Sequence, residues 1–176
     1  MLTKDSVAVL VDCWETEYIE TDVDRVYSNI IKTLNRTEEI KAVILASYDV
    51  DDIPTDNLWY MNHTKLHNHS QKTADVILNY VNPDKLQIAM TSFEDFAGFL
   101  DKHREIENIY FMGQSWNSCI MNRPIGIKSC GNIQRNIIIN QKCVWNADTH
   151  SLLNMERDCP EESYIKLKDH VYQYIW

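Results

Sequence analysis

Ser6-Val7-Ala8-Val9-Leu10-Val11-Asp12 is the stretch on which the reading of this chain turns. It is an unbroken, mostly apolar run of strand length, closed by a carboxylate. It lacks the polar alternation of a half-solvated strand, so it reads as a strand buried on both faces in a parallel sheet covered by helices. Lys41–Tyr48, Leu86–Met90 and Asn108–Met112 repeat the pattern, and Arg135–Gln141 makes a fifth strand. Helical stripes fall between them. Asp22–Leu34 carries Val23, Val26, Ile30, Ile31 and Leu34 on one side, with Asp22 as cap. Ser70–Tyr80 is a second helix, and a third runs from Ser92 to about Arg104 with Phe96, Phe99 and Leu100 on one face. Such alternation predicts an α/β domain with a mainly parallel sheet. Towards the C-terminus the pattern predicts a short helix over Asp148–Met155, a sixth strand at Tyr164–Leu167 and a last helical turn from Asp169.

The chain has 176 residues, 44% hydrophobic and 24% charged, which suits one domain over residues 1–176 with a sizeable core. A net charge of −9 argues against a nucleic-acid surface, since phosphate binding needs a basic face. Lys and Arg are scattered, and no apolar stretch reaches membrane-spanning length, so no membrane partner is expected. Met1–Asp5 leads straight into the first strand without the shape of a signal peptide, which makes the cytoplasm the expected location. Cys13, Cys119, Cys130, Cys143 and Cys159 form an odd set with no CxxC pair, so reduced thiols are expected.

In sheets of this kind ligands bind at the carboxyl ends of the strands, where strand order reverses. Asp12 closes the first strand. The fourth leads through Ile109-Tyr110-Phe111-Met112-Gly113-Gln114-Ser115-Trp116-Asn117-Ser118-Cys119 into a turn and helix. If the two strands are neighbours, a carboxylate and a thiol meet at the crevice. A thiol gains nucleophilicity from a base that takes its proton, and unpaired N–H groups at a helix start favour thiolate and can hold an oxyanion. Cys119 is then a nucleophile and Asp12 its base, with Gln114, Ser115 and Ser118 in the oxyanion turn. The alternatives are an inert core thiol and a carboxylate that caps a loop.

These residues resemble the isochorismatase-like cysteine hydrolases, which include nicotinamidases and N-carbamoyl amidohydrolases. Val7–Asp12 is similar to their opening strand and aspartate. Phe93-Glu94-Asp95-Phe96-Ala97-Gly98-Phe99-Leu100 is similar to the segment after strand three, and Ile109–Cys119 to the strand-four motif with its cysteine six residues after glycine. Asp148–Leu153 fits their His-containing helix. The resemblance implies a three-layer α/β/α, Rossmann-like fold with a six-stranded, mainly parallel sheet. It also implies covalent hydrolysis of a C–N bond in a small amide or carbamoyl compound without a cofactor, a non-proline cis peptide around Gln114 to Trp116, and a homo-oligomer.

The chain departs from that pattern where the family has its catalytic lysine, at the end of strand three, since Met90 stands there. Lys85 lies at the other end of that strand, more than about 10 Å away at roughly 3.3 Å per residue. Methionine cannot stabilise developing negative charge, so the resemblance also admits a degenerate, non-catalytic relative that serves as a ligand-binding or protein-interaction module. In that version Met90 and Trp116 fill the space of lysine and substrate. Trp14, Trp59, Met90, Phe96 and Trp116 are the candidate pocket residues. The long polar segment Asp49–His69 holds His63, His67 and His69, but lacks the Asp-x-His pattern of a metal site, and no metal is expected.

Overall fold

In the computed structural model, which describes residues 5–13, 22–46, 81–90, 92–158, 164–166 and 171–174, the decisive run forms strand β1 (Ser6–Val11) with every residue buried. Helix α1 (Asp22–Arg36) and strands β2 (Ile40–Ala46) and β3 (Leu86–Met90) follow. Helix α2 (Phe93–Lys102), strand β4 (Asn108–Gly113), a π-helical turn (Trp116–Ile120) and helix α3 (Ile127–Cys130) lead to strand β5 (Asn136–Asn146). The described chain closes with β6 (Ser151–Leu152), α4 (Met155–Asp158), β7 (Tyr164–Lys166) and β8 (Val171–Tyr174).

The sheet is mixed and mostly parallel, in the order β3-β2-β1-β4-β5-β8-β7, with β6 attached to β5. Strands β3, β2, β1, β4 and β5 are parallel, whereas β8 runs antiparallel to both β5 and β7, so β7 points the same way as the parallel five. From β1 the chain builds outward to β2 and β3, then returns to lay β4 on the other side of β1. Strand order therefore reverses between β1 and β4, which pair in register from Ser6↔Asn108 to Val11↔Gly113.

Side-chain alternation along β1 divides the core in two. Val7, Val9 and Val11 join Phe96 and Leu100 of α2. Ala8 and Leu10 join Val26, Ile30 and Leu34 of α1. Each fully buried Val, Leu or Phe contributes about 1.5–3 kcal/mol. Helix α2 starts at Ser92, whose Oγ accepts from the Asp95 N–H at 3.1 Å and donates to Asp95 Oδ2 at 2.8 Å, a reciprocal cap. At the amino ends of the strands Asn136 donates to Asn108 Oδ1 at 3.0 Å, and Asn108 donates to Ser6 Oγ at 3.4 Å. These three residues are partners across β1, β4 and β5, so the ladder marks the register.

The C-terminal part differs from the sequence expectation. Asp148–Met155 is not a helix. The chain turns at 147–150 and returns as β6, pairing Trp145↔Leu152 and Asn146↔Ser151, and only Met155–Asp158 is helical. Asn146 Oδ1 accepts the Asp148 N–H at 3.1 Å, a local bond that favours a turn over a helix. The expected helical turn after Asp169 is strand β8 over Val171–Tyr174, in keeping with its β-branched and aromatic residues. Tyr164–Lys166 is a strand, but β8 lies between it and β5. The expected helix over Ser70–Tyr80 and loop over Asp49–His69 lie outside the described residues.

Candidate functional site at the ends of β1 and β4

The carboxyl ends of β1 and β4 approach each other more closely than side chains allow. Gly113 has φ 117°, and a Cβ there would lie 2.0 Å from the Val11 carbonyl oxygen, so only glycine fits. Asp12 leaves the strand at φ 49°, which breaks the alternation and re-aims its side chain. Gln114 then ties the two chain ends together. Its N–H donates to Val11 O at 3.0 Å, and its amide donates to Asp12 O at 2.8 Å and Tyr27 Oη at 3.2 Å. The Gln114–Ser115 peptide is cis, within the 114–116 window drawn from the resemblance.

Cys119 rides on the π-helical turn that follows. The Ile120 N–H reaches back five residues to Ser115 O at 3.0 Å. Asn122 steadies the turn by donating to Asn117 O at 3.1 Å and Ser118 O at 2.8 Å. Ser115 Oγ accepts the Ala147 N–H at 3.1 Å, and Asn117 donates to the Asp148 carboxylate, so the 147–150 turn is docked on this one. Trp116 and Ile120 face the core, while Cys119 is half-buried, its Sγ 3.4 Å from Ser118 Oγ.

Next to Cys119 lies an ion pair that sequence reasoning missed. Arg123 and Asp12 have side chains only 4% and 0% exposed. Arg123 Nε donates to Asp12 Oδ2 at 2.8 Å, and Nη2 donates to the same oxygen. The other oxygen, Oδ1, is buried without an aligned hydrogen bond, and the Cys119 thiol interacts with the carboxyl from beside it. Cys119 and Arg123 are four residues apart, one helical turn, so they emerge on the same side. Arg123 N–H still bonds Cys119 O at 3.0 Å, but Pro124 disfavours helical backbone at the residue before it and ends the turn there. Gly126 completes the bend, since a Cβ on it would meet Arg123 O at 2.8 Å and Arg123 N at 2.9 Å. The legible signal was Cys-x-x-x-Arg-Pro, with the arginine one turn past the thiol.

Burial dominates the electrostatics. It raises the Asp12 carboxyl above its ordinary value of 3.8, against the pull of Arg123 and of the neighbouring Cys119 thiol. Burial and the Asp12 charge push the Cys119 thiol up as well, with only partial relief from Arg123 and Ser118. The acidic thiol expected at a helix start is therefore absent, because desolvation and a neighbouring carboxylate outweigh the turn's N–H groups. The resting pair is a thiol beside a carboxyl group that ionises first.

The structure brings Cys119, Asp12, Gln114, Ser115 and Ser118 into one neighbourhood. Gln114 uses both its N–H and its side-chain amide to join the strand ends. Met90, Phe96 and Trp116 do gather, but within the apolar core that packs under Cys119, with Phe96 fully buried and Trp116 2% exposed. Among the described residues their neighbours are core side chains. Trp14, Trp59, His63, His67, His69 and Cys159 lie outside the described residues. Lys85 donates to Thr37 O at 3.0 Å and Ile40 O at 2.6 Å at the opposite end of the sheet, a structural role. Cys13 packs on the α1 side, away from Cys119, and Cys130 and Cys143 are buried.

No family model matches this chain, and comparisons with curated proteins and solved structures return no match either. Among the described residues, no helix is long and apolar enough to cross a membrane.

Proposed function

We propose that the protein is an isochorismatase-like cysteine hydrolase, with a three-layer α/β/α fold, that cleaves a C–N bond of a small amide or carbamoyl compound. One observation carries the reading: a half-buried thiol against a buried carboxyl group at the point where strand order reverses. In the reaction Cys119 Sγ bonds to the carbonyl carbon as its proton passes to Asp12. The tetrahedral oxyanion is held by N–H groups of the turn near Ser118 and Cys119. As the C–N bond breaks, Asp12 returns the proton to the leaving amine. Water then attacks the thioester, Asp12 takes its proton, and the acid and free thiol are released. The raised carboxyl suits this exchange, because an acid–base group works best when its ionisation is drawn towards neutral pH. The substrate is a small molecule, handled by a cytoplasmic homo-oligomer without cofactor, nucleic acid or membrane.

A second reading has its own support. Met90 and Trp116 are both packed into the core beneath Cys119, as a non-catalytic relative requires. A panel of small amides and N-carbamoyl compounds, assayed for released ammonia or amine, separates the two. Turnover lost in Cys119→Ala, with an acyl-enzyme mass adduct trapped in the wild type, supports hydrolysis. Ligand binding without turnover or adduct supports the binding module.

A further inference from the structure

We propose that Arg123 is the positioning cation of this site: by gripping Oδ2 of Asp12 with two N–H groups, it turns Oδ1 towards Cys119 as the acceptor of the thiol proton. The inference builds on the hydrolase reading but stands on contacts of its own.

Three observations converge on it. The guanidinium spends two donors on one oxygen and none on the other, and a carboxylate held in that way has only one oxygen left to accept a proton. Oδ1 is buried and without an aligned hydrogen bond, and the Cys119 thiol is the group against the carboxyl. A buried polar oxygen left open in this way is costly and calls for an explanation, which a proton-accepting role supplies. Finally, the backbone around Arg123 is shaped to hold it. Pro124 stops the helix, and Gly126 lets the bend close to within 3.0 Å of Ile120 O and of the Arg123 backbone where a Cβ would stand. Cation and nucleophile thus share one turn, and the base comes from the neighbouring strand.

The cation comes from one turn past the nucleophile, whereas Met90 at the end of β3 offers none. Among the described residues, the charged or titratable groups that act on Asp12 and Cys119 are each other and Arg123, with Cys13 as the next residue on the Asp12 strand. Arg123 favours the ionised carboxyl. Without it Asp12 would keep its proton to higher pH, and no acceptor would be open to the thiol.

The test needs no substrate. Iodoacetamide alkylates Cys119 as a C–S bond forms, iodide leaves and the thiol proton passes to Asp12 and then to solvent. Its rate at Cys119, located by mass spectrometry, is measured against pH in five proteins: wild type, Arg123→Gln, Arg123→Lys, Asp12→Asn, and Asp12→Asn combined with Arg123→Gln. The acid limb reports ionisation of Asp12. It should move up by at least about one pH unit in Arg123→Gln, a tenfold loss of rate below the limb, and stay within about half a unit in Arg123→Lys. In Asp12→Asn the guanidinium faces the sulfur alone, so the thiol should ionise at least about one unit lower than in the double variant. The double variant leaves neither charge buried alone, and the amide oxygen of Asp12→Asn can still accept from the guanidinium, so this comparison holds even if Arg123→Gln does not fold. An unmoved limb in folded Arg123→Gln, or equal thiol ionisation in Asp12→Asn and the double variant, overturns the proposal. Absence of turnover on every amide would count against hydrolysis and leave these profiles unaffected.

Discussion

Gly113→Ala tests the site's geometry directly. The added methyl group would sit 2.0 Å from the Val11 carbonyl oxygen and 3.0 Å from Cys13 Sγ. Contacts to a Cβ below 3.0 Å are essentially never seen, so the ends of β1 and β4 must part by about 1 Å. The neighbour in the way is backbone within a paired strand, not the tip of a side chain, so relief means loosening the Gln114 N–H to Val11 O bond. A non-glycine residue at φ 117° adds about 1–3 kcal/mol of strain, and a weakened buried hydrogen bond adds about 1 kcal/mol. We expect a loss of about 2–4 kcal/mol in urea unfolding, with little change in the slope. Misplacement by about 1 Å is enough to lower a rate about 100-fold, so alkylation of Cys119 through Asp12 should fall steeply in the protein that remains folded. A variant within about 0.5 kcal/mol of wild type that labels at the wild-type rate would show that the strand ends do not meet in this way.

Four further outcomes are expected. Since the Asp12 carboxyl ionises above 3.8 in the folded chain, Cys119 labelling should fall as pH drops through that raised value, and in Asp12→Asn the Asp12 limb should vanish and leave only the limb of the thiol's own ionisation, as a pH–rate profile would show. The same shift links to stability with a definite sign: Asp12's contribution is complete below its unfolded value and is lost as pH rises through the folded one. Denaturation of wild type and Asp12→Asn across pH should therefore diverge only in that window. Trp116→Ala, which empties a 2%-exposed site, should cost about 3–5 kcal/mol in thermal or urea unfolding. Lys85→Met removes two hydrogen bonds to backbone carbonyls, one buried and one partly buried, and should cost about 1–3 kcal/mol while leaving the pH profile of Cys119 labelling in place.

The parts legible in the sequence were those written in local pattern. β1 and β4 announced themselves as apolar runs, and the Gly113–Cys119 spacing marked the turn between strand and thiol. Adjacency of the two strands was a condition of the reading rather than a product of it, and the register meets that condition at Val11↔Gly113. The hairpin at 147–150 was hidden because Asp148 to Met155 has helix-compatible spacing, and only the Asn146 side chain and the extension of β5 decide otherwise. Strand β8 earns its place by pairing with β5, a tertiary effect that a four-residue window does not show. Arg123 escaped notice for a related reason. Its partner is 111 residues away, and nothing in the local pattern says which carboxylate an arginine will choose. The raised thiol was missed because a helix start was weighed without the desolvation that comes with it.

The placement of the three groups makes the site a two-rail device. Cys119 and Arg123 are mounted on the rail that continues from β4, so their spacing is set within a single turn. Asp12 alone is mounted on β1. Sliding one strand past the other by a single residue, about 3.3 Å, would uncouple acceptor from nucleophile while leaving the spacing of Cys119 and Arg123 within their turn intact. Gln114 opposes that slip at the near end, and the Ser6–Asn108–Asn136 ladder adds to it at the far end of the same strands. A substitution there, a whole strand length from the thiol, would act as misalignment rather than as lost chemistry.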